Sequence, residues 1–155
     1  MTEIYLSLGS NLGDRRANVL KAVELLDEKL GVHHSLSELV ETEPWGFESE
    51  YRFINAVVCY HSAVEVSEDA AYALLDVCKD IERQLGRKEE ELFDGDGRRR
   101  YHDRPVDIDI LLFGTMTMDS ARLTIPHRLI KERPFVTGPL KQIISPDMAA
   151  LHPLF

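Results

Sequence analysis

Two aspartates, two residues apart in Val106-Asp107-Ile108-Asp109-Ile110-Leu111-Leu112, are the residues of this sequence best suited to do chemistry. Strand side chains alternate, so Asp107 and Asp109 share one face while Val106, Ile108, Ile110 and Leu112 share the other. Carboxylates held about 7 Å apart repel unless something cationic sits between them. Hard oxygen ligands on a rigid element suit Mg²⁺, which keeps several waters and accepts phosphate oxygens. The same spacing also describes the exposed polar face of an amphipathic strand, and both readings stand on the pair alone.

The surroundings favour the metal. Between Arg87 and Arg133 the chain carries ten basic and ten acidic residues, whereas the remainder holds eight and seventeen. Eight of the twelve arginines fall in that neutral segment: Arg87, Arg98, Arg99, Arg100, Arg104, Arg122, Arg128 and Arg133. The planar guanidinium fork matches phosphate oxygens, so the enrichment points to a polyphosphate ligand. Arg104 lies three residues before Asp107, and Arg87 stands at the entry of the same long charged stretch. An aspartate pair for Mg²⁺, flanked by arginines on a closing loop, is what phosphoryl transfer requires. Neither G-x-x-x-x-G-K-[ST] nor G-x-G-x-x-G occurs, which excludes a P-loop or Rossmann phosphate site.

His127, after Pro126 and among Arg122, Arg128 and Arg133, reads either as a structural hydrogen-bonder or as a phosphate contact. Asn55 interrupts the apolar run from Phe53 to Tyr60. A buried amide needs partners, and its paired donor and acceptor match either a neighbouring strand group or the edge of a heterocycle. Trp45, Phe47, Phe53 and Phe135 are core candidates by type. Trp45 and Phe47 fall in a Pro/Gly loop, where they can instead stack on a flat ring.

The elements that must hold these residues follow from periodicity. Residues 4–9 alternate as a strand, Asp14 caps a helix over 15–30, and Gly31 stops it. Residues 32–43 read as a second strand and 53–61 as a third. Ser67 caps a helix with the stripe Ala70, Leu74, Cys78, Ile81 and Leu85, ended by Gly86. Residues 87–103 have no periodicity, 105–113 form a strand, and 114–120 a turn or short hairpin. Short helical turns are expected around 126–138 and a last short helix over 139–145. The order β-α-β-β-α-β predicts helices packed on a mainly antiparallel sheet.

At 155 residues the chain fits one domain, 1–155, with enough length for a core. Its 44% hydrophobic and 29% charged residues are those of a globular protein, and no apolar run approaches the ~20 residues of a membrane helix. The net charge of −9 argues against a nucleic-acid binder. Cys59 and Cys78 have no metal-ligand spacing and read as reduced structural thiols. With no signal-peptide pattern, a cytoplasmic location is expected, with neither membrane nor nucleic acid as partner.

Together these residues resemble the 6-hydroxymethyl-7,8-dihydropterin pyrophosphokinases of folate biosynthesis. The most specific stretch, Arg104-Pro105-Val106-Asp107-Ile108-Asp109-Ile110-Leu111-Leu112-Phe113-Gly114, matches that family's signature R-x-x-D-x-D-[IL]-[LM]-L-[FY]-G. Further matches are Leu8 to Gly13, Phe53 to Val57, Ile81 to Arg87, and Leu123 to His127. An α+β fold with a ferredoxin-like βαββαβ core is expected, and a monomer. The resemblance implies transfer of the β,γ-pyrophosphate of ATP to the pterin's hydroxymethyl oxygen. Two Mg²⁺ ions would be held by Asp107 and Asp109, with Arg87 and Arg104 on the phosphates. Glu82, Ile110, Arg122, Thr124, His127 and Arg133 would line the ATP site, and Thr42, Trp45, Phe53, Asn55 and Phe135 the pterin pocket. Tyr101 stands where the family often has Trp, and Lys79 where some members have Gln. The stretch between Arg87 and Arg104 is longer and more acidic than in short members.

Overall fold

In the computed structural model, residues 1–42, 52–86, 105–128 and 130–152 are described. Strand β1 (Thr2–Ser10) leads through Asp14, whose carboxylate accepts from the Ala17 N–H, into α1 (Arg15–Leu30). Two short strands follow, β2 (Ser35–Leu36) and β3 (Val40–Thr42), then β4 (Phe53–Ser62). Ser67 caps α2 (Glu68–Gln84) by accepting from the Ala70 N–H. After β5 (Asp107–Phe113) come the hairpin strands β6 (Met118–Asp119) and β7 (Thr124–Ile125). A 3-10 turn (Ile130–Glu132) then precedes α3 (Pro134–Ile143) and α4 (Pro146–Leu151).

The main sheet runs β2-β4-β1-β5, with β3 also on the β4 edge, and every pair is antiparallel. Counting β2 and β3 as one interrupted strand, this is the ferredoxin-like order expected from βαββαβ. One face carries Ile4, Leu6, Leu8, Val58 and Ile108 against Val19, Val23 and Leu26 of α1 and Leu74, Cys78 and Ile81 of α2. The other carries Tyr5, Val57, Cys59 and Leu112 against Val136 and Leu140 of α3 and Met148 of α4. The sheet is therefore covered on both sides. Both cysteines are buried and free. No helix among the described residues is long and apolar enough to cross a membrane.

Two local expectations are corrected. The single strand over 32–43 is split because Ser37 is buried and takes over the ladder. Its N–H donates to the Val57 carbonyl at 2.9 Å, and its Oγ accepts from the Val57 N–H at 2.8 Å. The last helix is not 139–145 but the pair α3 and α4. The boundary expected between 138 and 139 falls inside α3, where Pro139 gives up only the hydrogen bond back to residue 135.

Candidate active site

β5 is the outer strand of the sheet, and its sequence alternation is kept at the start: Ile108 and Ile110 join the α1/α2 core, while Asp107 and Asp109 face the α3/α4 side. A bulge follows, since Leu6 pairs with Ile110 but Tyr5 with Leu112. The bulge frees the Leu111 carbonyl to accept from the His127 N–H at 3.0 Å, which fastens His127 beside the aspartates. His127 Nε2 lies 3.9 Å and Arg133 Nη1 3.5 Å from Asp109 Oδ2. Arg133 is 7% exposed, so this cation is held in a low-dielectric setting, where its field is strong.

The edge of β5 that pairs with no strand among the described residues opens into a cleft of about 450 Å³. From α2 it is lined by Leu75, Lys79 and Glu82, from the far side by Arg122, Thr124, His127, Arg128 and Arg133, and from β5 by residues 107–110. Glu82 is buried, and its Oε2 accepts from the Ile108 N–H at 2.8 Å. That bond shows which peptides of β5 point outward. By antiparallel alternation, the N–H and C=O of Ile110 point the same way, into the cleft, while its side chain stays in the core. At the rim, Arg122 pairs with Asp76 at 3.0 Å and lies over the Tyr72 ring, and Thr124 donates to Asp119 at 3.2 Å.

Next to this cleft lies a second cluster. Asn55 is 6% exposed and donates through Nδ2 to the Thr42 hydroxyl across the β3–β4 pair. Phe53 is on the same strand face, two residues away. Register joins the clusters: Asn55 opposes Gly9, and Gly9 opposes Asp107. A Cβ on Gly9 would come within 2.9 Å of Asn55 Oδ1 and 3.3 Å of the Phe53 ring. Along this face β1 presents Tyr5, Ser7 and Gly9, and the missing side chain at Gly9 lets the Asn55 amide and the Phe53 ring lie close over the β1 backbone, one strand away from Asp107. Phe135, on the first turn of α3, has its ring 5.8 Å from the Arg133 guanidinium and packs, partly buried, against the α3/α4-side core.

Six residues expected around ATP (Glu82, Ile110, Arg122, Thr124, His127 and Arg133) thus line one cleft with Asp107 and Asp109. Thr42, Phe53 and Asn55 form one cross-strand group. Trp45, Arg87 and Arg104 lie outside the described residues. Sequence reasoning did not assign Gly9, Lys79 or Arg128 to the site. Lys79 stands one turn before Glu82 on α2, a spacing that gave its direction away. Gly9 announced nothing, because its contribution is the absence of a side chain.

The carboxylate oxygens of Asp107 and Asp109, hard donors on a half-exposed strand face open to the cleft, suit Mg²⁺. The chain matches the 7,8-dihydro-6-hydroxymethylpterin-pyrophosphokinase (HPPK) family over residues 5–145. It is 42% identical over 144 residues to a 2-amino-4-hydroxy-6-hydroxymethyldihydropteridine pyrophosphokinase of Porphyromonas gingivalis, covering 92% of this chain and 91% of that one. The enzyme of the same name from Aquifex aeolicus is 35% identical over 155 residues, covering 100% and 86%. A folate synthesis bifunctional protein of Arabidopsis thaliana is 38% identical over 147 residues, 94% of this chain but 28% of that one. Among solved structures, an HPPK-DHPS in complex with substrates superposes with a TM-score of 0.66 at 16% identity. That match covers 92% of this chain and 40% of the other, and at this identity it speaks for the fold. With the signature stretch on β5 and matching sequence along nearly its whole length, the chain belongs to the HPPK family.

Proposed function

We propose that this protein transfers the β,γ-pyrophosphoryl group of ATP to 6-hydroxymethyl-7,8-dihydropterin in folate biosynthesis, giving the pterin diphosphate and AMP. The observation that carries this reading is the row Asn55–Gly9–Asp107. Two strand spacings, roughly 10 Å, separate an amide suited to a heterocycle from a carboxylate suited to a metal. A flat bicyclic ring with a hydroxymethyl arm spans that distance, with Asn55 and Phe53 at one end and Asp107 at the other.

The ring stacks between Phe135 and an aromatic of the 45–53 region, Phe53 or Trp45, with its polar edge on Asn55 and Thr42. This places the hydroxymethyl oxygen toward Asp107. The nucleotide occupies the cleft at the β5 edge, with adenine against the outward N–H and C=O of Ile110 and phosphates toward His127, Arg122 and Arg133. In transfer, the hydroxymethyl oxygen bonds to the β-phosphorus, the bond from that phosphorus to the α,β-bridging oxygen breaks, AMP leaves, and the hydroxyl proton passes to Asp107 or to water. Asp107 and Asp109 would hold Mg²⁺, as two ions, which would supply charge neutralisation for the triphosphate. Arg87 and Arg104 add cationic contacts to the phosphates. Positioning and preorganised charge carry the rate. Buried, reduced thiols suit the cytoplasm, and we place the protein there as a single-domain monomer.

The test is AMP formation from Mg-ATP with and without the pterin, followed by chromatography. Pterin-dependent AMP without ADP is the expected result. ADP, or AMP formed without pterin, overturns the substrate in favour of another Mg²⁺-dependent nucleotidyltransferase or phosphohydrolase. Bound ATP without turnover would make the cleft a nucleotide-binding module.

A further inference from the structure

We propose a second metal site, for a borderline-soft divalent cation such as Zn²⁺, formed by Glu3, Cys59 and His61 at the end of the sheet away from Asp107 and Asp109. Glu3 opposes His61 in the β1–β4 register, and Cys59 lies two residues before His61 on the same face. One ligand atom from each of the three residues lies within 4.8 Å of the other two. Corners of a tetrahedral zinc site stand about 3.3–3.8 Å apart, so an inward shift of about 1 Å completes the geometry. Thiolate, imidazole and carboxylate form a mixed S/N/O set that suits Zn²⁺ and not Mg²⁺.

The surroundings already orient these ligands. The Glu3 carboxylate accepts from Tyr5 Oη at 2.9 Å and from Ser145 Oγ at 3.1 Å, as supporting groups do for metal ligands. Ser35 opposes Cys59 across the β2–β4 pair, and its buried hydroxyl makes no hydrogen bond of sound geometry among the described residues. A thiolate at Cys59 gives that hydroxyl the acceptor it lacks. The His61 side chain is 36% exposed, leaving a path for the ion and a fourth position for water. Without the ion, burial pushes the Cys59 thiol up to about 11 and keeps it protonated. Binding replaces S–H by S–metal and releases that proton to solvent. The ion then ties β1 to β4 at the end opposite the active site.

Cobalt(II) added to the chelator-treated full chain tests this directly. One equivalent is expected to give a near-ultraviolet thiolate-to-cobalt band that Zn²⁺ abolishes by displacement. Cys59→Ser should lose the band, and His61→Ala should weaken binding about tenfold or more. Asp107→Asn should leave the band unchanged, and Cys59→Ser should still form AMP in the presence of Mg-ATP and pterin. No band in the unaltered chain, or a band that persists in Cys59→Ser, overturns the proposal. So does a band lost in Asp107→Asn.

Discussion

Arg133 Nη1 stands 3.5 Å from Asp109 Oδ2, with the arginine almost wholly buried and the carboxylate facing the cleft. One aspartate of the pair is therefore balanced from the α3 side, and the repulsion between Asp107 and Asp109 is partly offset before any ligand arrives. Asp109→Ala should lower kcat for AMP formation at least about a hundredfold, the usual loss when a preorganised charge contact is removed. The far-ultraviolet circular dichroism spectrum should be unchanged. Retained turnover in a folded variant would remove Asp109 from the metal site.

Gly9→Ala tests the close packing of Asn55 and Phe53 over β1. Its new Cβ would meet Asn55 Oδ1 at 2.9 Å, well inside contact distance. The KM for the pterin should rise about tenfold or more, equivalent to about 1.4 kcal/mol of binding. The KM for ATP should stay within about twofold. Equal rises in both would mean that Gly9 supports the sheet and not the pterin pocket.

Glu82 caps an outward N–H of the edge strand from within α2. Glu82→Ala leaves the Ile108 N–H without this acceptor and should cost about 1–3 kcal/mol in urea unfolding. It should also raise the KM for ATP. Glu82→Gln keeps an acceptor and should recover most of the stability, a pattern that simple loss of helix packing would not give.

Alkaline pH should weaken the fold. Burial pushes the Cys59 thiol from 9.0 to about 11, and burial likewise raises Cys78 and Tyr60. The folded state then binds more protons than the unfolded state above the ordinary thiol range, so stability is full below about pH 9 and is lost toward about pH 11. Cys59 alone accounts for on the order of 2 kcal/mol of that loss. Unfolding of chelator-treated protein at several pH values measures the fall. In the native state neither thiol should react with a thiol reagent at pH about 9, where a free cysteine is about half ionised.

Much of this was legible from the residues. The Asp107/Asp109 face followed from strand alternation, and the helices at 15–30 and 68–84 from apolar spacing with Asp14 and Ser67 as caps. Signals failed where tertiary contacts overruled local pattern. Ser37 looked like one more polar strand residue until it replaced a ladder bond, and the boundary expected between 138 and 139 falls inside what is a continuous helix. The close packing at Gly9 depends on what stands on β4, a strand distant in sequence. The Glu3, Cys59 and His61 cluster was hidden for the same reason, since only the β1–β4 register brings Glu3 to the other two.

An outer strand with outward peptide groups is a standing invitation to a strand from another molecule. On β5 that invitation is declined. Glu82 occupies the Ile108 N–H, and Lys79 and Arg128 border the opening. A second copy approaching edge to edge would bring the same cations against them. The charges that suit a triphosphate therefore also guard against self-association, and neutralising them to study nucleotide binding should make the protein more prone to aggregate.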